Sequence, residues 1–127
     1  MRNVNQLLVP GGYCYFHTPN SSGMDNIALG YNNFRPIAHG IFPPMHLQGF
    51  NSQNLLHFVI SSGFNLISHD TQGIFDVDIV KTFGNLDDLG SFANINSFSD
   101  NQLAIVQSWL QELKASSKMS CTIQKQD

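Results

Sequence analysis

The sequence lacks any run of apolar residues close to the ~20 that a helix needs to cross a bilayer. Its first residues, from Met1 to Asn5, include no apolar stretch of signal-peptide length. Charged side chains make up only 12% of the chain, about half the usual share. We therefore expect a soluble, cytoplasmic protein without a membrane partner. Part of its lightly charged surface is expected to be covered by another chain or by the rest of a larger protein.

Basic residues and cysteines are scarce as well. Six Lys and Arg against nine Asp and Glu give a net charge of −3, without the basic surface that nucleic-acid binding requires. We therefore expect no nucleic-acid partner. Cys14 and Cys121 stand outside any C-x-x-C motif, so two reduced thiols are expected instead of a disulfide framework.

The best-marked unit of the chain is a helix followed by a strand. At 127 residues and 42% hydrophobic content, residues 1–127 are expected to form a single domain with its own core. Asn51 fits the N-cap of the helix, and Gly63 fits the left-handed position that ends it. From Phe64 to His69 the side chains alternate with the period of two that is typical of a strand, and a turn is expected at 70–73. This unit predicts an α/β protein.

Two more strands are predicted, one near each end of the chain. The segment from Tyr13 to His17 is apolar on both faces, as expected for a buried interior strand of a parallel sheet. No strand is predicted before it, so we expect its other edge to lack a partner among residues 1–127. The segment from Met119 to Gln124 alternates, with its odd-numbered residues on one apolar face.

Further helices are predicted around these strands. A short one runs from Met24 to Leu29, and a longer one follows a capping box that Ser99 begins and Gln102 completes. The core face of the longer helix is expected to consist of four residues at helical spacing: Leu103, Val106, Leu110 and Leu113. Residues 84–97 are expected to be irregular. Residues 30–44 form a long connection of the kind that often shapes substrate sites.

The segment 74–83 is compatible with either a strand or a short helix. Its Asp-Val-Asp run resembles the acidic pair of metal-dependent glycosyltransferases, but apolar residues flank it on both sides. This context favours a half-buried element in which the carboxylates of Asp76 and Asp78 point to solvent.

Several short segments follow one another in an order and spacing that cover nearly the whole chain. They are Leu-Val-Pro-Gly-Gly at 8–12, Thr-Pro-Asn at 18–20, Pro-Met-His-Leu at 44–47, Phe-Asn at 50–51, Ser-Gly-Phe at 62–64, Thr-Gln-Gly-Ile-Phe-Asp-Val-Asp-Ile-Val at 71–80, Gln-Ser-Trp-Leu at 107–110 and Ser-Ser-Lys-Met at 116–119. In this arrangement the chain resembles the C-terminal half of a class I S-adenosylmethionine-dependent methyltransferase of the small-molecule type.

The resemblance implies a partial Rossmann-like fold of about three strands with flanking helices. It also implies that the last strand, from Met119 to Gln124, lies antiparallel between the other two. The family binds S-adenosylmethionine through its N-terminal half, with a Gly-rich turn between a strand and a helix, and no such run occurs here. We therefore expect the donor-binding half to be absent, and the chain alone to bind no cofactor and to catalyse no transfer.

Four residues are candidates for the acceptor site. His17, Thr18 and Asn20 lie at or after the carboxyl end of the first strand, where ligands bind in open α/β sheets, and by resemblance this loop faces the methyl-transfer site. By resemblance His46 lies near the substrate pocket, where it would position the acceptor or act as general base. The structural alternatives are an Asn20 side chain bonded to local backbone and a His46 bonded to backbone at the start of the helix.

Three functions are therefore weighed. The first is a methyltransferase fragment that carries the side of the pocket for a small-molecule acceptor. The second is a non-catalytic remnant domain that pairs through the edge between Tyr13 and His17, either with a second copy or with the missing half. The third is a small metal-binding protein. It is the least favoured, because closed metal sites have short spacings that the four possible ligands lack: His17, His39, His46 and Asp70.

Overall fold

The computed structural model describes residues 1–29, 46–74, 76–83 and 90–126. Its elements in chain order are α1 (Arg2–Leu7), β1 (Tyr13–Pro19), α2 (Met24–Leu29), α3 (Ser52–Ser61), β2 (Phe64–Thr71), α4 (Asp76–Phe83), a 3-10 helix (Gly90–Ser97), α5 (Asp100–Glu112) and β3 (Lys118–Lys125). The predicted connection at 30–44, which includes His39, lies outside the described residues. So do residues 84–89 of the segment predicted to be irregular, whereas the rest of that segment is the 3-10 helix.

The three strands form one sheet in the order β1-β3-β2. β3 pairs antiparallel with both neighbours, placing Ser120 opposite His17 on one side and opposite Asp70 on the other. β1 and β2 consequently run in the same direction without touching. The predicted α/β class is confirmed, as is the position of the last strand, antiparallel in the middle of three.

β1 differs from its prediction as a buried interior strand of a parallel sheet. Among the described residues it pairs only with β3, and Tyr13 and Tyr15 are 60% and 57% exposed. Cys14 and Phe16, at the alternate positions, pack against the core. The prediction was wrong because an aromatic ring on an open sheet face has the same sequence signature as one in a core.

β2 departs from strict alternation through a bulge. The register shifts between Leu66, opposite Ile123, and Ser68, opposite Thr122, so that Ile67 is the extra residue. Beyond the bulge the inward positions change parity, and Thr71 is 3% exposed opposite Met119. The strand therefore includes Asp70 and Thr71, the first two of the four residues for which a turn was predicted.

One face of the sheet carries the first of two cores. Its buried residues come from α3 and from strands β2 and β3: Leu55, Val59, Phe64, Met119, Cys121 and Ile123. The start of α3 is a capping box in which Asn51 and Asn54 each accept a hydrogen bond from the other's backbone N–H. Gly63 follows the C-cap of α3 with φ +81° and ends the helix, as predicted.

The second core lies among the helices and includes no strand residue. It joins α2, α4, the 3-10 helix and α5 through Met24, Ala28, Leu29, Val77, Val80, Ile95 and Leu103. The segment 74–83, left open between strand and helix, thus contributes a helix, α4. No helix in the described part of the chain is both long and apolar enough to cross a membrane.

The core face of α5 is shorter than predicted. The capping box of Ser99 and Gln102 is present, Leu103 is buried, and Val106 and Leu110 pack against the second core. Leu113 is 75% exposed, however, because it is the C-cap residue of α5, where the chain turns toward β3. Its assignment to the core was therefore wrong.

The different burial of Leu103 and Leu113 predicts that their substitution changes the free energy of unfolding by different amounts. Leu103→Ala should lower the free energy of unfolding by about 2–4 kcal/mol, since it leaves a cavity in the second core. Leu113→Ala should change it by less than about 0.5 kcal/mol, because the side chain already lies in water. Urea denaturation followed by circular dichroism measures both, and equal losses would contradict the described burial.

Candidate functional site

The two cores meet where the turn after β1 touches the turn before β3. Asn20 is 1% exposed at this junction, and its side-chain nitrogen donates to the Ser116 carbonyl at 2.8 Å and to the Lys114 carbonyl at 3.4 Å. Its side-chain oxygen accepts the Ser22 N–H at 3.1 Å. The side chain thus bonds local backbone, as the structural alternative expects, and also fastens two distant turns.

The turn between β1 and α2 offers no backbone donors to a ligand. The N–H groups of residues 20 to 24 donate in turn to the Ser117 carbonyl, the Phe50 carbonyl, the Asn20 side chain, the Asn20 carbonyl and the Ala115 carbonyl. The Gly11 and Gly12 N–H groups are likewise bonded, to the Lys125 and Val9 carbonyls. A cradle for the carboxylate of a methyl donor needs free, converging N–H groups. These two turns therefore do not fit S-adenosylmethionine.

A cleft of about 530 Å³ lies at the carboxyl ends of β1 and β2. It brings together three of the four predicted site residues, His17, Thr18 and His46, whereas Asn20 does not line it. The remaining lining residues are Pro19, Gln72 and Lys118. The volume lies within the range of small-molecule sites.

Gln72 and Lys118 were missed by the sequence reasoning, although the signal for them was present. An antiparallel middle strand necessarily begins beside the carboxyl ends of its two neighbours. Lys118 accordingly stands opposite Pro19 in the register, and its carbonyl accepts the Gln72 N–H at 2.9 Å. The predicted strand order therefore already placed the start of the last strand at this edge, and Lys118 directly precedes the predicted start at Met119.

A smaller apolar pocket of about 230 Å³ adjoins the cleft, with which it shares His17 and Thr18. Its aromatic lining comes from Phe16 on β1, Phe50 and Phe58, and the rings of the last two lie 5.3 Å apart. Phe50 is held against the end of β1, because its carbonyl accepts the Ser21 N–H at 2.7 Å. The two cavities together present a polar compartment beside an aromatic one.

The two imidazoles of the cleft have different surroundings. The ring of His17 meets the ring of Tyr15 edge to face, with centroids 4.8 Å apart. His46 has a buried Nδ1 with no hydrogen-bond partner among the described residues. Both rings line the cleft, where an imidazole can accept a proton from an acceptor hydroxyl or amine.

Asp76 is fully buried, which corrects the expectation that it points to solvent. Its carboxylate accepts the Ser117 N–H at 2.7 Å and further bonds from the Ser116 hydroxyl and the Gln107 amide. The reason is that Asp76 begins α4, whose N-terminus packs against the turn before β3. Asp78, half a turn on, is exposed as expected.

Gly73 makes this polar cluster possible. A Cβ atom there would overlap the Ser116 hydroxyl and the Asp76 carboxylate. Its carbonyl accepts hydrogen bonds from the Gln107 and Gln111 amides at 2.7 and 2.8 Å. The glycine thus lets the end of β2 reach the Asp76 cluster.

A second buried carboxylate, Asp25 on α2, lies near this cluster. It is 1% exposed, and its Oδ1 has no hydrogen-bond partner among the described residues. Burial raises the pKa of Asp25 to about 6, and the negative charge of Asp76 adds to this effect while the Asn26 N–H opposes it. Asp25 is therefore a group whose ionisation is coupled to folding.

An ion pair lies at the surface near β2. Lys114 bonds Asp70 at 2.7 Å, which lowers the pKa of that exposed carboxyl, and it also donates to the His69 carbonyl. Burial, with a smaller contribution from Lys114, lowers the pKa of His69. In the part of the chain that the structure describes, no three His, Cys, Asp or Glu side chains are grouped to hold a metal ion.

Comparison with known proteins found neither a protein-family model nor a curated protein that matches this chain. The assignment of function consequently depends on the residues and on the geometry of the cleft.

The buried Asp25 predicts a pH dependence of stability. The pKa of Asp25 in the folded protein, about 6, exceeds its ordinary value of 3.8, so its stabilising contribution is complete below about pH 3.8 and is lost as pH rises to about 6. Asp25→Asn removes this loss. The difference in the free energy of unfolding between Asp25→Asn and wild type should therefore rise by about 1–2 kcal/mol, in favour of the variant, between pH 4.5 and pH 7.

The control for this measurement is Asp78→Asn, which removes the same charge from the exposed side of α4. Its unfolding free energy relative to wild type should stay nearly constant across the same pH range. Urea titrations at each pH give both differences, and parallel curves for Asp25→Asn and wild type would contradict the assignment.

Proposed function

We propose that this chain is the acceptor-binding part of a Rossmann-like, S-adenosylmethionine-dependent methyltransferase whose donor-binding half lies outside it. The observation that carries the proposal is the cleft at the carboxyl ends of β1 and β2. Three residues singled out by the resemblance, His17, Thr18 and His46, line this one cavity although 28 positions separate Thr18 from His46 in the chain.

The strand arrangement supports the same proposal. The resemblance implies a last strand inserted antiparallel between two strands that run in one direction, and the order β1-β3-β2 has this form. Such an arrangement places two strand ends and one strand start around a single edge, and ligands of open α/β sheets bind at that edge.

The role of this chain in the reaction is then confined to the acceptor. Thr18 and Gln72 supply a hydroxyl and an amide that orient a polar small molecule, and Pro19 gives it an apolar wall. His46 or His17 takes the proton from an acceptor oxygen or nitrogen. No step is assigned to the donor, since the turns at 11–12 and 20–24 already use their N–H groups in bonds within the chain.

Ligand titration tests the acceptor role directly. Small phenols, amines and carboxylic acids are added separately to ¹⁵N-labelled protein, and backbone amide shifts are followed. At least one class should produce saturable shifts at residues 17, 18, 46, 72 and 118. The double variant His17→Ala, His46→Ala should weaken that binding by at least about tenfold, because it removes both imidazoles from the cleft.

The matched control is His57→Ala, which removes an exposed imidazole from α3 outside the cleft and should leave the affinity unchanged. Shifts that cluster elsewhere, or no shifts with any class, would reject the acceptor role. Calorimetry with S-adenosylmethionine should give no heat. A micromolar dissociation constant would show that the donor site is present in this chain.

A second role is favoured by the open edge of β1. Among the described residues β1 has no partner on its outer side, and it contains no charged residue of the kind that protects edge strands from association. We propose as the alternative a non-catalytic domain that pairs through this edge, either with a second copy or with a separate half.

Light scattering after size exclusion tests pairing between copies. It should then detect a species of at least twice 14.1 kDa at micromolar concentration. Tyr15→Lys, at a position already 57% exposed, should convert that species to monomer by placing a charge on the edge. Ile67→Lys, at the 51% exposed bulge of β2, is the control that should leave it paired. A wild-type monomer would reject pairing between copies.

A further inference from the structure

The apolar pocket beside the cleft lies on the core side of the sheet. Phe16 packs against the first core, so Thr18, two positions further along β1, faces the same side. His17 stands between them and points its imidazole to the opposite face, so that it borders the pocket only through its backbone. The sheet therefore separates the interior of this pocket from the His17 imidazole.

Residues in and next to α3 form the opposite wall of the pocket. Leu55 and Phe58, three positions apart, lie on one side of the helix, and Leu55 is 1% exposed. Phe50 stands just before the helix, and its ring lies 5.3 Å from the Phe58 ring, centroid to centroid. Phe16 and Phe50 also pack against the first core. The wall of the pocket is thus held in place by packing that any folded molecule of this chain must have.

The hollow lies where a short side chain stands among large ones. Thr18 occupies the position on β1 that follows Phe16 on the core side, and it is paired with Met119 of β3. Met1, which is half-buried, completes the lining. A methionine side chain is unbranched and adapts its shape readily, so it can yield to a ligand that enters from solvent. The volume of about 230 Å³ is therefore accessible from outside.

The lining determines which chemical class fits this volume. None of the described residues that line the pocket is Asp, Glu, Lys or Arg. An ionised group buried there would lose its hydration without gaining a charged side chain as partner, which disfavours it. A dry apolar cavity of about 150 Å³ binds benzene, so this pocket has room for one ring with a small substituent. The three phenylalanine rings favour an aromatic ligand, through offset and edge-to-face contacts.

We infer that this pocket is a binding site for a small, uncharged molecule with a single aromatic ring, held among Phe16, Phe50 and Phe58. The inference goes beyond the proposed function and does not depend on it, because the bound ring lies across the sheet from the His17 imidazole. The structural alternative is a gap in the packing that binds nothing.

The experiment titrates ¹⁵N-labelled wild-type protein with four probes of similar size. Benzyl alcohol is the uncharged aromatic probe, benzoate and benzylammonium carry the two signs of charge, and cyclohexylmethanol has a saturated ring. Benzyl alcohol should produce saturable amide shifts at residues 16, 18, 50, 55 and 58. It should bind at least about fivefold more tightly than either ion and at least about twofold more tightly than cyclohexylmethanol.

A filling substitution tests the location. Thr18→Phe places a ring in the hollow and should weaken benzyl alcohol binding at least about tenfold. Its matched control is Thr122→Phe, because Thr122 is paired with Tyr15 and lies on the opposite face of the sheet. This control should keep the affinity within about twofold of wild type.

A truncation on α3 gives a second test, which holds even if Thr18→Phe does not fold. Phe58→Ala removes one wall and should weaken binding at least about fivefold. Ile60→Ala removes a side chain that is 59% exposed on the same helix, outside the lining, and should leave the affinity unchanged.

Each result decides part of the inference. An ion that binds as tightly as benzyl alcohol would overturn the preference for an uncharged ligand, and cyclohexylmethanol of equal affinity would overturn the aromatic one. Unchanged affinity in Phe58→Ala, or shifts confined to other residues, would place the ligand elsewhere. The absence of saturable shifts with all four probes would show that the pocket is a packing gap.

Discussion

The pairing of β3 with both other strands is the constraint on which the rest of the structure depends. β1 and β2 share no hydrogen bond, so the sheet exists only because β3 lies between them. The same strand buries Met119, Cys121 and Ile123 in the first core, each at most 1% exposed. Burial on one face forbids a slip of register by one residue, since a slip would turn this apolar row to the other side. The register then determines which residues meet at the end of the sheet.

The end of β3 nearest the cleft is held by polar contacts instead of apolar ones. Immediately before the strand, the Ser116 carbonyl is bonded by Asn20 and the Ser117 N–H by Asp76. These two bonds fasten the turn of β1 and the start of α4 to the same point. They explain how two apolar cores without a common residue stay in one arrangement. Buried hydrogen bonds have this effect because an unmade bond leaves a desolvated group without compensation, at a cost of about 1–3 kcal/mol.

The features of the fold that the sequence predicts depend on residues close together in the chain, whereas those it does not predict depend on contacts between distant residues. Gly63, the capping boxes and the alternation of β3 are local, and the chain shows them in residues close in sequence. The burial of Asp76 is not local, because its partner Ser116 lies 40 positions away. A solvated aspartate and one satisfied by a distant turn have the same sequence signature. The bulge at Ile67 and the exposed Leu113 were missed for a related reason, since the partner strand and the exit of the helix decide them.

The residues of the candidate site were identified partly from the resemblance and partly from the strand order. The resemblance indicated His17, Thr18 and His46, whereas Lys118 and Gln72 enter the cleft only through the strand order. Apart from His46, the lining belongs to strands or adjoins their ends, and the positions of those strands are set by β3 and its core. Its geometry therefore depends on strand pairing within this chain. In the part of the chain that the structure describes, the turn after β1 uses its N–H groups internally, whereas the cleft is lined by side chains of β1, β3 and their neighbours. Under the proposed function, this chain contributes residues suited to binding an acceptor, and no contact with the methyl donor is assigned to it.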